Sequence, residues 1–143
     1  MADIDNFKAF NDMRGHQYGD FVLSTIGREL RANVSNEDSV YRYGGEEFMI
    51  LLQEVGDRVL KDIGQRLCDV IYNIGVENPA NATGRLTISV GASLSTTRDG
   101  EFGWEEMIGQ ADKALYDAKH GGRNQVVCTV RDAGETGEPG EPG

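Results

Sequence analysis

The chain has no apolar run of about 18 residues, the length a helix needs to cross a bilayer, so no transmembrane helix is expected. Its opening, MADIDNFKAF, lacks a basic segment leading into an apolar one, and so lacks the form of a secretory signal. Cysteine is scarce. Cys68 and Cys128 have no metal-type spacing, and they are expected as free thiols in a reducing, cytoplasmic setting. Positive charge is also in deficit: 14 Lys and Arg against 24 Asp and Glu leave a formal net charge of −10. Such a chain as a whole repels nucleic acid and anionic membrane. An acid-rich surface is ordinarily just a well-solvated one. Acids gathered at one place can instead hold a divalent cation, and only local spacing separates these two readings.

What remains is an ordinary folded composition: 143 residues, 38% hydrophobic and 27% charged, enough for one domain with its own core. Residues 3–5 read as the end of a strand. From Asn6 the pattern turns helical, with Phe7, Phe10 and Met13 three apart. Gly15 breaks it, and helical spacing resumes near Asp20 with Val22, Leu23, Ile26 and Leu30. Residues 39–43 and 47–52 read as two strands around Gly44-Gly45, a two-residue turn in which glycine supplies positive φ. Val55, Val59, Ile63, Leu67, Val70, Ile71 and Ile74 mark a long amphipathic helix. A loop at 78–84 follows, then strict alternation at Leu86, Ile88, Val90, Ala92 and Leu94, a half-buried strand. After a polar turn at 96–103, Trp104, Ile108, Ala111, Leu115 and Ala118 repeat at helical spacing up to Gly121-Gly122. Residues 125–130 form a last short strand. From Arg131 the sequence RDAGETGEPGEPG is acidic, rich in Gly and Pro and without aromatics; it reads as a disordered tail, which leaves 1–130 as the folded unit. The element order is α/β, and a hairpin excludes a purely parallel sheet.

Four groups of residues carry chemistry. In DIDNFKAFND (3–12), strand alternation puts Asp3 and Asp5 on one face and turns Ile4 toward the core. Hard cations such as Mg²⁺ take oxygen ligands, and a strand-end carbonyl can join the carboxylates; solvated acids with a helix cap at Asp5 or Asn6 explain the same stretch. In YRYGGEEFMILL (41–52), two adjacent carboxylates precede a strand that is apolar on both faces. Exposed hairpin glutamates are the plain reading, but a cation between Glu46 and Asp3 would offset the repulsion. In ADKALYDAKHGGRNQV (111–126), Lys119 and Arg123 stand four apart at a helix end. Two cations there can grip a polyphosphate, or simply face the helix macrodipole. Asn11 and Asp20 together offer the donor and acceptors that read a guanine edge, or they cap helices; His16, between them, is more often structural or solvent-facing than catalytic.

Together, in order, DIDNFKAFND, GHQYGD, RYGGEEF, LTISVGAS and ADKALYDAKHGGRN resemble the GGDEF diguanylate cyclase family over residues 3–127. The resemblance implies an α+β fold like the palm of nucleotidyl cyclases and polymerases, a central mostly antiparallel sheet flanked by helices. It implies condensation of two GTP into cyclic di-GMP with loss of two pyrophosphates, one GTP per domain, so that a homodimer is needed. It implies Mg²⁺, or Mn²⁺, held by Asp3, the Ile4 carbonyl and Glu46, with Glu46 also accepting the proton of the ribose 3′-hydroxyl. Glu47 would sit by the metal or the base; Lys8 and the backbone around Phe7 would steady the triphosphate. Asn11 and Asp20 would read guanine, His16 would line the site, and Lys119 and Arg123 would hold the terminal phosphates. The alternative from another class is a catalytically silent module that binds GTP or cyclic di-GMP.

The chain departs from the family pattern in two places. The Arg-x-x-Asp product-inhibition motif is SNED here, with Asp38 kept and Ser35 in the arginine's place, so feedback by product is expected to be weak. The family also carries a helix, an Asp-x-Leu-Thr-x-Leu-x-Asn-Arg motif and a full strand ahead of Asp3, and this chain has two residues there. A central strand cut short, apolar surface beside it, and a sensory or regulatory domain outside this chain are the expectations.

Overall fold

The computed structural model describes residues 1–95 and 103–131. The elements run β1 (Ala2–Ile4), α1 (Phe7–Arg14), α2 (His16–Ala32), β2 (Ser39–Arg42), β3 (Glu47–Leu51), α3 (Asp57–Ile74), β4 (Ile88–Ser95), α4 (Trp104–His120) and β5 (Val126–Arg131). One sheet has the order β2-β3-β1-β4-β5. Every neighbouring pair is antiparallel except β4 and β5, so the expected mostly antiparallel sheet is observed. β5 includes Arg131, one residue beyond the expected end of the fold; the rest of the acidic tail lies outside the described residues, as does most of the polar turn after β4.

Alternation along β1 sorts the two layers. Ala2 and Ile4 enter the main core with Phe7 and Phe10 of α1, Val22, Ile26 and Leu30 of α2, and Leu67 and Ile71 of α3. On the other face, Met1 packs with Ala111 and Leu115 of α4. The α4 backbone lies directly on β4: a Cβ at Gly91 would collide with Leu115 N and Ala111 O, so only glycine permits this approach.

β1 is central yet three residues long, beside a β4 of eight. Its pairing with β3 ends at Ala2↔Phe48 and with β4 at Ala2↔Val90. Beyond that point lies an apolar groove of about 360 Å³, where the sheet has no middle strand. Both layers therefore line one cavity: Leu60 and Ile63 from α3, Met107 and Ile108 from α4, and Met49, Ile50 and Leu94 from the flanking strands. This is the apolar surface expected beside a shortened central strand.

Three local readings are corrected. α2 starts at His16, not near Asp20. Residues 16–19 carry no aliphatic stripe to read; they are held because Gly19 is buried against α1 and Tyr18 packs on Phe10 at 5.6 Å between ring centroids. The hairpin is not a two-residue glycine turn. Gly44 and Gly45 lie outside the positive-φ region, and the reversal instead takes in Tyr43 and Glu46, with the Tyr43 N–H donating to the Glu47 carbonyl at 2.8 Å. Arg42 closes that loop by donating to the Gly45 carbonyl through Nε (3.2 Å) and Nη2 (2.8 Å). Finally, the alternating stretch is not half-buried at its start: polar Thr87, just before β4, and Ser89, on it, are 2% and 0% exposed.

Candidate active site

The C-terminal end of β1 faces the hairpin. Asp3 pairs with Glu47 across the β1–β3 ladder, and the Ile4 N–H donates to the Glu46 carbonyl at 3.2 Å. The N–H and C=O of a strand residue leave on the same side, so the Ile4 carbonyl is aimed at the hairpin mouth too. From the opposite direction α4 delivers Lys119, whose Nζ stands 3.1 Å from Asp3 Oδ2. Burial pushes the Asp3 carboxyl up to about 6; the Lys119 ammonium pulls it down, and the Glu46 and Glu47 charges add to the rise. Asp3 thus carries the ion pair with Lys119, while the Glu46 and Glu47 charges stand near enough to act on Asp3. Among the described residues no group of three or more His, Cys, Asp or Glu side chains forms a ready-made cation cage. Mg²⁺ does not require one, being commonly held by one or two carboxylates with substrate phosphates and water. The donor set, hard oxygens with unbalanced negative charge and a lysine standing in as the cation, fits such an ion.

The helices after β1 carry the residues expected to meet a nucleotide. α1 begins at Phe7, which is buried and stacked on Phe10 at 5.7 Å between centroids, while Lys8 is exposed beside it. Asn6, just before, has φ 52° and donates from Nδ2 to Asn81 Oδ1 at 2.7 Å, which fixes the entry of α1. Asn11 is half-buried, and its Oδ1 is buried without a hydrogen-bond partner. It fits against the bare backbone of Gly19, where a Cβ would occupy the same space. A buried, unpartnered side-chain oxygen is costly in a finished core, and it marks this niche as a place for a donor. Asp20 and His16 are exposed on α2, Asp20 one residue past Gly19.

The third component is the turn after α4. Arg123 (φ 63°) and Asn124 (φ 48°) both hold left-handed backbone, with the Arg123 N–H bonded to the Ala118 carbonyl at 3.0 Å and its side chain exposed. Lys119 is therefore brought to Asp3, whereas Arg123 stands at the rim. The sequence reading set Asp5 beside Asp3 as a carboxylate for a cation or as a helix cap, and the structure gives it a different place. Asp5 is 1% exposed; its carboxylate accepts from Thr87 Oγ1 (2.7 Å), Ser89 Oγ (2.6 Å) and the Asn124 N–H (3.1 Å). It caps no helix. The available signal was LTISV, a strand whose polar alternate positions match the spacing of Asp3 and Asp5.

Comparison with known proteins agrees with this geometry. The family model described as "Diguanylate cyclase, GGDEF domain" matches residues 1–125. The chain belongs to the GGDEF domain family. It is 37% identical over 127 residues to diguanylate cyclase DgcZ of Escherichia coli (strain K12), covering 89% of this chain and 42% of that protein. It is 35% identical to diguanylate cyclase DosC of the same strain, covering 88% of this chain and 27% of that one. The chain thus spans less than half of these relatives. Among solved structures, the GGDEF domain of DgcB from Caulobacter crescentus, in complex with c-di-GMP, superimposes with a TM-score of 0.77 at 29% identity, covering 89% of this chain and 74% of that one. An active GGEEF domain of a diguanylate cyclase from Vibrio cholerae gives 0.75 at 28% identity, covering 92% and 81%. The palm-like fold expected from the sequence is thereby shown.

In this GGDEF domain the loop that replaces the family's product-inhibition motif is turned inward. Asp38 Oδ2 accepts the Ser35 N–H at 2.9 Å and Oδ1 accepts the Gln53 N–H at 3.1 Å. Arg31, one helical turn before Ser35, spends its guanidinium on the Asp38 and Ser35 carbonyls (2.5 and 2.6 Å). Burial works against the ionised Asp38, but the Gln53 and Ser35 donors and the Arg31 charge outweigh it and hold its pKa below the ordinary value. Both cysteines are free; burial pushes the Cys68 thiol up to about 12, which leaves it inert as a nucleophile. Among the described residues no helix is long and apolar enough to cross a membrane.

Proposed function

We propose that this GGDEF domain is a diguanylate cyclase that condenses two GTP into cyclic di-GMP and releases two pyrophosphates, as a homodimer with one nucleotide in each copy. The observation that carries the reading is the meeting of Asp3, the Ile4 carbonyl and the Glu46-Glu47 hairpin at the end of β1, with Lys119 on Asp3. Asp3, the Ile4 carbonyl and Glu46 would hold Mg²⁺, with Mn²⁺ as a substitute. Bound there, such an ion supplies charge neutralisation at the α-phosphate and a lower pKa for the attacking hydroxyl.

The chain's own residues do the rest. Asn11, in its niche on Gly19, and Asp20 orient guanine, and His16 lines the approach. Lys8 and the first backbone amides of α1 near Phe7 face the triphosphate. Lys119 leaves Asp3 for the terminal phosphates once these arrive, joined by Arg123, and Glu47 flanks the metal or the base. Glu46 accepts the proton from the 3′-hydroxyl of one nucleotide. That oxygen bonds to the α-phosphorus of the GTP held by the other copy, and the bond from this phosphorus to the bridging oxygen of pyrophosphate breaks. The second bond closes the ring in the same way. Phosphoryl-type transfer asks for positioning and charge compensation more than for a covalent intermediate, which suits a site without an activated nucleophile.

The test is incubation of the chain with GTP and Mg²⁺ and identification of products by chromatography and mass spectrometry. Cyclic di-GMP that disappears in Glu46→Gln supports the cyclase. No product from folded chain that still binds GTP would replace it with a silent nucleotide-binding module.

A further inference from the structure

Asp5 is a carboxylate only 1% exposed, and among the described residues no Lys, Arg or His side chain forms an ion pair with it. It is stable there because three donors converge on it: the Thr87 hydroxyl just before β4, the Ser89 hydroxyl on β4 and the Asn124 backbone N–H from the turn after α4. Its backbone is held as firmly. The Asp5 N–H donates to the Thr87 carbonyl at 3.0 Å, and its carbonyl receives Asn78 Nδ2 at 3.5 Å and Asn81 Nδ2 at 3.4 Å. Asn81 also receives Asn6 Nδ2, so one network fixes the entry of α1 and the turn after α4.

That turn needs holding. Gly122, Arg123 and Asn124 have φ of 118°, 63° and 48°; glycine and asparagine tolerate this region, but Arg123 carries a side chain that disfavours it. The Arg123 N–H ties it to α4 and the Asn124 N–H ties it to Asp5; the latter bond spans 119 positions in sequence and reaches from the residue that follows β1. On the far side the Gln125 carbonyl accepts from the Val90 N–H at 2.9 Å, so without the Asp5 bond the turn keeps its two ends but the Asn124 amide between them goes unpaired, and Arg123, next to it, loses its defined direction.

We infer that Asp5 is a positioning residue: its buried carboxylate sets the direction in which Arg123 meets the nucleotide's phosphates. The inference rests on the proposed role of Arg123 at the terminal phosphates. Asp5 touches neither nucleotide nor metal. It acts on the number of phosphates the site prefers, not on recognition of the base.

The experiment is calorimetric titration of the chain with guanosine 5′-(β,γ-imido)triphosphate and with GMP, both with Mg²⁺. In Asp5→Ala the affinity for the triphosphate is expected to fall about tenfold, equivalent to the loss of one charge-assisted contact, while that for GMP stays unchanged. Arg123→Ala is expected to show the same loss, and the double variant no further loss, because the two changes remove one interaction. Since Asp5→Ala strands two buried hydroxyls, a second variant, Asp5→Leu with Thr87→Val and Ser89→Ala, replaces the whole polar group with apolar side chains, a change that can be nearly neutral for folding. It is expected to lose the triphosphate preference as well. A folded Asp5→Ala or triple variant that keeps the native preference, when Arg123→Ala has lost it, overturns the inference. If Arg123→Ala itself keeps the native preference, the phosphate role proposed for Arg123 fails, and the inference with it. A merely structural Asp5 would weaken GMP and triphosphate alike, and that outcome also overturns it.

Discussion

Lys119 Nζ lies 3.1 Å from Asp3 Oδ2, so the lysine expected on the terminal phosphates rests on the carboxylate expected to hold the metal. On the proposed metal role of Asp3, the two cations would compete for one oxygen. Lys119→Met is therefore expected to tighten Mn²⁺ binding without nucleotide, by about two- to fivefold, the scale of a partly exposed ion pair. The same variant is expected to bind GTP more weakly. Mn²⁺ paramagnetic resonance titration measures the first effect and nucleotide titration the second; equal or weaker metal binding in the variant would show that the pair does not compete.

Glu46→Gln keeps the backbone carbonyl that accepts from Ile4 and changes only the side chain at the hairpin mouth. Product formation is expected to drop by at least about 10²-fold, the range for removing a general base, with little change in Tm. A variant that folds normally and still turns over at the native rate would remove Glu46 from the catalytic step.

Gly19→Ala separates stability from recognition. Inside a helix this change ordinarily gains up to about 1 kcal/mol, and less in the first turn, where Gly19 sits. Here the new Cβ would occupy the space of Asn11 Oδ1, the flexible end of a side chain that can turn away. Little net change in stability is expected, together with weaker binding of GTP and of GMP alike, since the base contact is what moves. Denaturant unfolding and titration with both nucleotides check this; unchanged binding of both would place guanine elsewhere.

Gly91→Ala should behave in the opposite manner. Its Cβ would meet the α4 backbone at Leu115 and Ala111, which cannot rotate aside. A loss of about 3 kcal/mol is expected from urea unfolding, at the upper end for overpacking, because α4 must lift from β4. A loss below about 0.5 kcal/mol, within the range of ordinary surface changes, would mean α4 is not seated as described.

Asp38 contributes through pH. Its folded pKa lies below the ordinary 3.8, so its stabilisation is present above that value and is lost as pH falls through the lower, folded one. Asp38→Asn is expected to cost about 1–2 kcal/mol near neutrality, the scale of hydrogen bonds to a charged group, and the gap from wild type should narrow as pH drops below 3.8. With that carboxylate occupied by Ser35 and Gln53, and serine where the family has arginine, cyclic di-GMP is expected to inhibit weakly; tight inhibition that depends on Asp38 would contradict this.

Elements with a clean period were legible in the chain itself. Alternation over 86–94 announced a strand, though not that its polar positions are buried, and the helical spacing of Ile63, Leu67 and Ile71 announced the face α3 turns inward, though Val59 of the same stripe is 48% exposed. The ordered motifs around Asp3, Glu46 and Lys119 pointed to the family because their chemistry needs particular side chains at particular places on those elements. Three things depended on long-range contact. Thr87 and Ser89 looked solvent-facing until Asp5 covered them; residues 16–19 form helix without an aliphatic stripe because Gly19 and Tyr18 pack on α1; and Lys119 lies on Asp3 because Gly91 lets α4 settle onto β4. A residue's near neighbours in sequence govern its backbone preference, but the partners of a buried polar group lie across the fold, 119 positions away for Asp5 and Asn124, where no local pattern records them.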